Sequence, residues 1–133
     1  MTRFSLLLVL EMTVVPTLLG SGLAGETYGP FKMIQTSIGE VLTTADGMTL
    51  YTFDRDKAGM PTCTAECAQY WPPVIALADA TPVDDDLSLI KRADGTLQWA
   101  AEGKPLYTYT NDKQPGDVTG DGKNGVWHVV RDD

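Results

Sequence analysis

From Ile38 onward the chain reads as short β-rich runs separated by turn signals. Ile38-Gly39-Glu40-Val41-Leu42-Thr43-Thr44 leads through Ala45-Asp46-Gly47 into Met48-Thr49-Leu50-Tyr51-Thr52-Phe53. Asp-Gly between two such runs marks a hairpin, because both turn residues tolerate positive φ. The pattern returns at Leu87-Ser88-Leu89-Ile90-Lys91-Arg92, Ala93-Asp94-Gly95 and Thr96-Leu97-Gln98-Trp99-Ala100. Glu102-Gly103 then turns the chain into residues 104–110, so the second half is predicted as a three-strand meander. Val126-Trp127-His128-Val129-Val130 closes as a strand buried on at least one face.

The stretches between these strands are of other kinds. Residues 63–71 predict one short helix, with Thr62 as N-cap and Pro72-Pro73 as stop. Val74-Ile75-Ala76-Leu77 is a short apolar run. Residues 54–62 and the acidic stretch 79–86 are loops, and 111–125, rich in Gly and Asp, has no apolar period. Residues 25–37 mix Gly, Pro and polar side chains and are expected to be a linker, an N-terminal arm or a poorly anchored first strand. The predicted fold is mainly β: antiparallel hairpin repeats in a meander sheet, with one short helix near Cys63 to Trp71.

One phrase occurs twice. Gly47-Met48-Thr49-Leu50-Tyr51-Thr52-Phe53-Asp54-Arg55-Asp56-Lys57 matches Gly103-Lys104-Pro105-Leu106-Tyr107-Thr108-Tyr109-Thr110-Asn111-Asp112-Lys113 in spacing from Gly to Lys. Strand alternation puts Tyr51 with Phe53, and Tyr107 with Tyr109, on one face, and Leu50 or Leu106 on the other. Asp56 and Asp112 fall past the strand, where a carboxylate caps a turn by accepting backbone N–H bonds. The repetition divides one domain, residues 38–133, into half-repeats at about 38–78 and 87–131.

Composition changes this picture at the ends and on the surface. Arg3, the apolar run Phe4-Ser5-Leu6-Leu7-Leu8-Val9-Leu10 and the small residues Ser21-Gly22-Leu23-Ala24 read as an export signal over residues 1–24, although Glu11 interrupts the apolar stretch. The run is shorter than the roughly 20 apolar residues a membrane span needs, and no later stretch approaches that length. A soluble, exported mature chain without a transmembrane segment is expected. Of the 133 residues, 10 are Lys or Arg and 18 are Asp or Glu; the leader holds one of each sign, so the net charge of −8 survives cleavage. That acidity opposes phosphate backbones and excludes nucleic acid as the expected partner. The two cysteines, Cys63 and Cys67, form an even pair in an exported chain, which favours a disulfide.

Candidate chemistry is sparse. Cys63, Cys67 and His128, with Met48 and Met60, include soft-metal ligands of the Cu(I) type. No two of the His and Met residues stand at a ligand spacing, and the single histidine, between Val126 and Val130 on its face, reads as a hydrogen-bonded structural residue. A redox pair more often spaces its cysteines two apart. Tyr51, Phe53, Tyr107 and Tyr109, with Trp71, Trp99 and Trp127, are either core or a groove for a sugar, a quinone or a haem edge; strand aromatics at period two favour core. Asp117, Asp121 and Asn124 lie in a Gly-rich loop of Ca²⁺ type, but the spacing departs from the EF-hand and a flexible, solvated loop is expected. Gly-x-Ser-x-Gly and a phosphate-cradling loop are absent from the sequence, and no Ser/His/Asp order or pair of catalytic carboxylates stands out.

The doubled Tyr-x-aromatic-x-x-Asp, at Tyr51, Phe53, Asp56 and at Tyr107, Tyr109, Asp112, resembles the bacterial secreted-repeat proteins, also described as predicted lipoproteins with a Yx(FWY)xxD motif. The likeness extends through Cys63-x-x-x-Cys67, Trp71-Pro72-Pro73, Arg92-Ala93-Asp94-Gly95, Pro115-Gly116-Asp117 and Gly125-Val126-Trp127-His128, covering about residues 38–131. The resemblance implies an exported, envelope-associated protein with no established activity or catalytic residues. This chain lacks a cysteine near residue 24 for a lipid anchor, so a free periplasmic or extracellular form is expected. The expected function is a non-catalytic binding or structural module of the cell envelope, meeting a ligand or protein partner not identifiable from sequence and needing no cofactor. The competing reading is redox or copper-type metal handling through Cys63, Cys67 and His128.

Overall fold

Glycine-bearing turns break the chain into strands of two to six residues. The computed structural model describes residues 27–131, so the export signal read over 1–24 lies outside the described residues. In chain order the elements are β1 (Thr27–Tyr28), β2 (Phe31–Thr36), β3 (Gly39–Thr44), β4 (Tyr51–Phe53), α1 (Glu66–Tyr70), β5 (Ile75–Ala76), β6 (Leu87–Lys91), β7 (Leu97–Ala101), β8 (Lys104–Pro105), a 3-10 turn (Lys123–Gly125) and β9 (Trp127–Val129). The fold is mainly β and antiparallel, as expected. Among the described residues no helix is long and apolar enough to cross a membrane.

Each half begins with a hairpin. β2 pairs with β3 from Phe31↔Thr44 to Thr36↔Gly39, and β6 pairs with β7 from Leu87↔Ala101 to Lys91↔Leu97. β1 flanks β2, while β5 and β8 both pair with β7. The Asp46-Gly47 turn closes as predicted: the Thr44 N–H donates to Met48 O and the Gly47 N–H to Thr44 O, with Gly47 at φ 93°.

The two copies of the tyrosine phrase meet in the middle. Tyr51 and Tyr107 are antiparallel partners, each N–H donating to the other's carbonyl at 2.8 and 3.0 Å. Each strand then finds its second neighbour in the opposite half: β4 pairs with β9 through Tyr51↔Val129 and Phe53↔Trp127, and Tyr107 bridges to Pro73. The central strands therefore have a core on either side. Leu50 and Leu106 point into one, with Phe31, Met33, Leu42, Leu87 and Trp99. Tyr51 and Tyr107 point into the other, with Val41, Cys63, Trp71, Trp127 and Val129. The alternation read from the sequence is thus realised, with both faces buried.

Four expectations change. Residues 27–37 are no linker: β2 is a full strand, and Phe31 and Met33 are buried against Trp99 and Leu42. The helix is shorter than predicted and Thr62 does not cap it, because the Thr62 N–H and hydroxyl both donate to Asp56 while Cys63 is drawn into the core. The third meander strand stops at Pro105, where the chain leaves β7 to run beside β4. The loop over 111–125 is tied rather than flexible and solvated. Asp117 accepts from the Lys113 and Gln114 N–H groups and Asp121 from the Val129 N–H, so these carboxylates hold the chain itself.

Candidate functional site

The motif residues converge, but inward and crosswise. Because Tyr51 and Tyr107 are antiparallel neighbours, each phenol reaches the Asp of the other copy. The Tyr51 hydroxyl donates to Asp112 Oδ2 at 2.7 Å, and the Tyr107 hydroxyl donates to Asp56 Oδ2 at 2.8 Å. The second carboxylate oxygen of each Asp accepts from a threonine further along its own loop: Asp56 Oδ1 takes the Thr62 N–H and hydroxyl, and Asp112 Oδ1 the Thr119 N–H and hydroxyl. The Tyr51 oxygen also accepts the Gly120 N–H at 3.1 Å. Both tyrosines are fully buried and Asp112 is 5% exposed. Burial first, and then the hydrogen bond to the carboxylate, push both phenols far above their ordinary range, so the hydroxyls remain donors at any physiological pH.

Around these pairs the aromatic side chains form one column. Phe53 stacks on Trp127 at 4.2 Å, Trp127 on Trp71 at 3.8 Å with 2° between planes, and Trp71 on Tyr109 at 3.9 Å. Tyr51 meets Trp71 edge-on at 5.3 Å, and Tyr107 meets Trp127 in the same way at 5.3 Å. Contacts alternate between the halves, so each half supplies one tryptophan and one terminal ring. The sequence grouped these aromatics as core or groove; they are core at the centre, with Phe53 and Tyr109 half-buried at the two ends. Trp99 lies apart from them, against Phe31 in the other core.

Two predictions arise here. A Cβ on Gly120 would sit 2.7 Å from Trp71 Cη2 and 2.9 Å from Tyr109 Cδ2. Gly120→Ala is therefore expected to destabilise by ~2 kcal/mol through overpacking, with a loss of near-ultraviolet circular dichroism as the column shifts. Asp112, buried and accepting three bonds, is expected to cost ~2–3 kcal/mol as Asp112→Asn, against ~1 kcal/mol for the half-buried Asp56→Asn. Urea denaturation of the two variants checks this; equal losses would show that burial does not set the difference.

The metal candidates do not come together. Cys63 and Cys67 form a disulfide with Cα atoms 5.2 Å apart, which leaves no thiolate to bind an ion. His128 lies on the other face of β9 from Trp127 and Val129, which pack with Cys63. The apolar surround expected for it is absent: its ring is about half exposed and Nε2 lies 2.8 Å from Asp54 Oδ2. Among the described residues no three His, Cys, Asp or Glu side chains are grouped to hold a metal.

An opening with no signal in the sequence lies on the side of the core that holds Leu50 and Leu106. A cleft of about 290 Å³ has Met33, Leu42, Leu87 and Val130 among its apolar walls and Asp84, Asp86, Glu102, Lys104 and Arg131 among its charged ones. Both halves contribute, and none of the six motif residues lines it. Its walls come from residues up to 103 positions apart, Tyr28 and Arg131 being the extremes, so no local pattern could mark it.

Against known proteins, a family described as a secreted repeat of unknown function matches this chain twice, over residues 32–75 and 88–131. Each matched copy begins at the first strand of a hairpin and ends beyond a buried tryptophan, Trp71 or Trp127; the first starts inside the segment expected to be a linker. Searches of curated proteins and of solved structures found no match.

Proposed function

This chain belongs to the family of secreted repeats of unknown function, and from that premise we propose that it is an exported, non-catalytic binding module of the bacterial cell envelope, free in the periplasm or outside the cell. The observation that carries the reading is the crossed tyrosine–aspartate tie, in which the phenol and carboxylate oxygens of the motif are engaged within the fold. A motif used up in this way serves as scaffold and leaves binding to what the scaffold displays. The cleft suits that role, with apolar walls for the body of a small ligand and charges of both signs for its polar end.

Calorimetric titration with small amphiphiles, after fractionation has located the mature chain, tests the proposal. Lys104→Glu and Ala101→Leu, both at the cleft, should weaken binding with melting retained, whereas Tyr107→Phe should lower melting and leave affinity alone. Turnover of a substrate that survives purification and disappears in Tyr107→Phe would overturn the non-catalytic reading. The redox and metal alternative draws no support from the oxidised Cys63–Cys67 pair or from His128, which is engaged by Asp54.

A further inference from the structure

We propose that the aromatic column and the two tyrosine–aspartate pairs form a one-electron relay, taking an oxidising equivalent from the surface at Tyr109 and holding it on buried Tyr51 or Tyr107. The proposal stands apart from the ligand cleft and concerns residues that the scaffold role treats only as packing.

Three features of the geometry carry it. First, Tyr109, Trp71 and Trp127 are readily oxidised side chains in continuous face-to-face contact, at 3.9 and 3.8 Å, and Tyr109 is one of the two half-buried ends. Phe53, much harder to oxidise, ends the column on the far side at 4.2 Å, so Tyr109 is the half-buried terminus that accepts an oxidising equivalent readily. Second, each tryptophan has a tyrosine edge-on at 5.3 Å, giving the oxidising equivalent a branch off the column. Third, each of those phenols already donates to a carboxylate, at 2.7 or 2.8 Å. A phenol that loses an electron becomes a strong acid, and a carboxylate in place to take its proton keeps the product neutral in an apolar surrounding.

A one-electron oxidant of the metal-centred or oxygen-derived radical class is reduced by one electron, drawn through Tyr109 from Trp71. The Trp71 radical cation is refilled by an electron from Tyr51. The Tyr51 O–H bond breaks, its proton passes to Asp112 Oδ2, and a neutral tyrosyl radical remains beside a protonated Asp112. On the other branch Trp127, Tyr107 and Asp56 do the same. A small thiolate at the surface returns the electron and becomes a thiyl radical, and the proton moves back from the carboxylate to the phenol.

Photo-oxidation of the folded, full-length mature chain by a ruthenium polypyridyl with persulfate tests the relay, read by transient absorption and electron paramagnetic resonance. The wild type is expected to form a tyrosyl radical that outlasts the one formed in the urea-unfolded chain. In a Tyr107→Phe background, which leaves only the Tyr51 branch, Asp112→Asn keeps the shape but gives up the base and should slow formation of that radical roughly tenfold, the scale of one charge-assisted hydrogen bond. Tyr109→Phe keeps a ring in the column and should slow radical formation without changing the decay. Tyr51→Phe with Tyr107→Phe should replace the tyrosyl signal by a tryptophan radical, and circular dichroism confirms that this variant is folded. An unchanged tyrosyl signal in that double variant, with oxidation mapped by mass spectrometry to exposed Tyr70 and Met60, would overturn the proposal. So would a rate of radical formation that Asp112→Asn leaves unaltered in the Tyr107→Phe background.

Discussion

Trp127→Ala is expected to lower stability by ~4 kcal/mol, a large share of the 5–15 kcal/mol that a domain holds in all. The side chain is 3% exposed and lies at the centre of the column. It stacks on Trp71 and Phe53 and receives the edge of Tyr107, three contacts that disappear together. Aromatic pairs of this kind contribute ~0.5–1.5 kcal/mol each beyond area burial, and truncation leaves a void between two stacked rings. Trp71→Ala should match it, since Trp71 makes the same contacts in the other half. Urea denaturation is the check: the midpoint should fall with little change in slope. A loss below ~1 kcal/mol, the size of an ordinary substitution, would mean that the column is not tightly packed.

Alkali is expected to unfold the protein, because Tyr51 and Tyr107 are held protonated in the fold. In the unfolded chain a phenol ionises near pH 10. Burial, and then the hydrogen bond to the partner carboxylate, raise both folded values well above that. Between the two values the unfolded state has released protons that the folded state retains, so stability falls as pH rises. Below the unfolded value the contribution is complete; above it the loss approaches about 1.4 kcal/mol per pH unit for each tyrosine. Melting followed from about pH 8 to about pH 12 should show this fall, and tyrosinate absorbance should gain its late stage only as the near-ultraviolet dichroism collapses. The Tyr51→Phe, Tyr107→Phe variant should start lower and fall less steeply. Full tyrosinate absorbance while the chain is still folded would contradict the buried placement.

Much of the fold was legible because its signals are local. Asp94-Gly95 between β-rich runs marked the β6–β7 hairpin, and the period of two placed Leu50 and Tyr51 on opposite faces. β2 was read only as one alternative, a poorly anchored first strand, although Phe31-Lys32-Met33 alternates as a strand should; Gly29, Pro30 and the neighbouring polar residues outweighed so short a pattern. The repeat announced two copies of Tyr-x-aromatic-x-x-Asp but not their relation. A duplicated segment is compatible with copies side by side or far apart, and only the antiparallel Tyr51↔Tyr107 pairing carries each phenol to the opposite carboxylate. The threonines that complete the carboxylates, Thr62 and Thr119, stand six and seven residues after their aspartates. Their offsets differ by one, so a search for fixed spacing passes over them, although a polar residue placed shortly after each motif was the available signal.

The exchange of hydroxyls between the halves has a bearing on ancestry. Cut at the acidic connector, either half would carry a phenol facing no acceptor and an acceptor facing no phenol. Two identical halves would answer one another's need about a two-fold axis, since every bond in the exchange occurs once in each direction. In this chain the two half-repeats meet with the geometry of a two-fold pair, so what separate halves would do by association takes place within a single molecule.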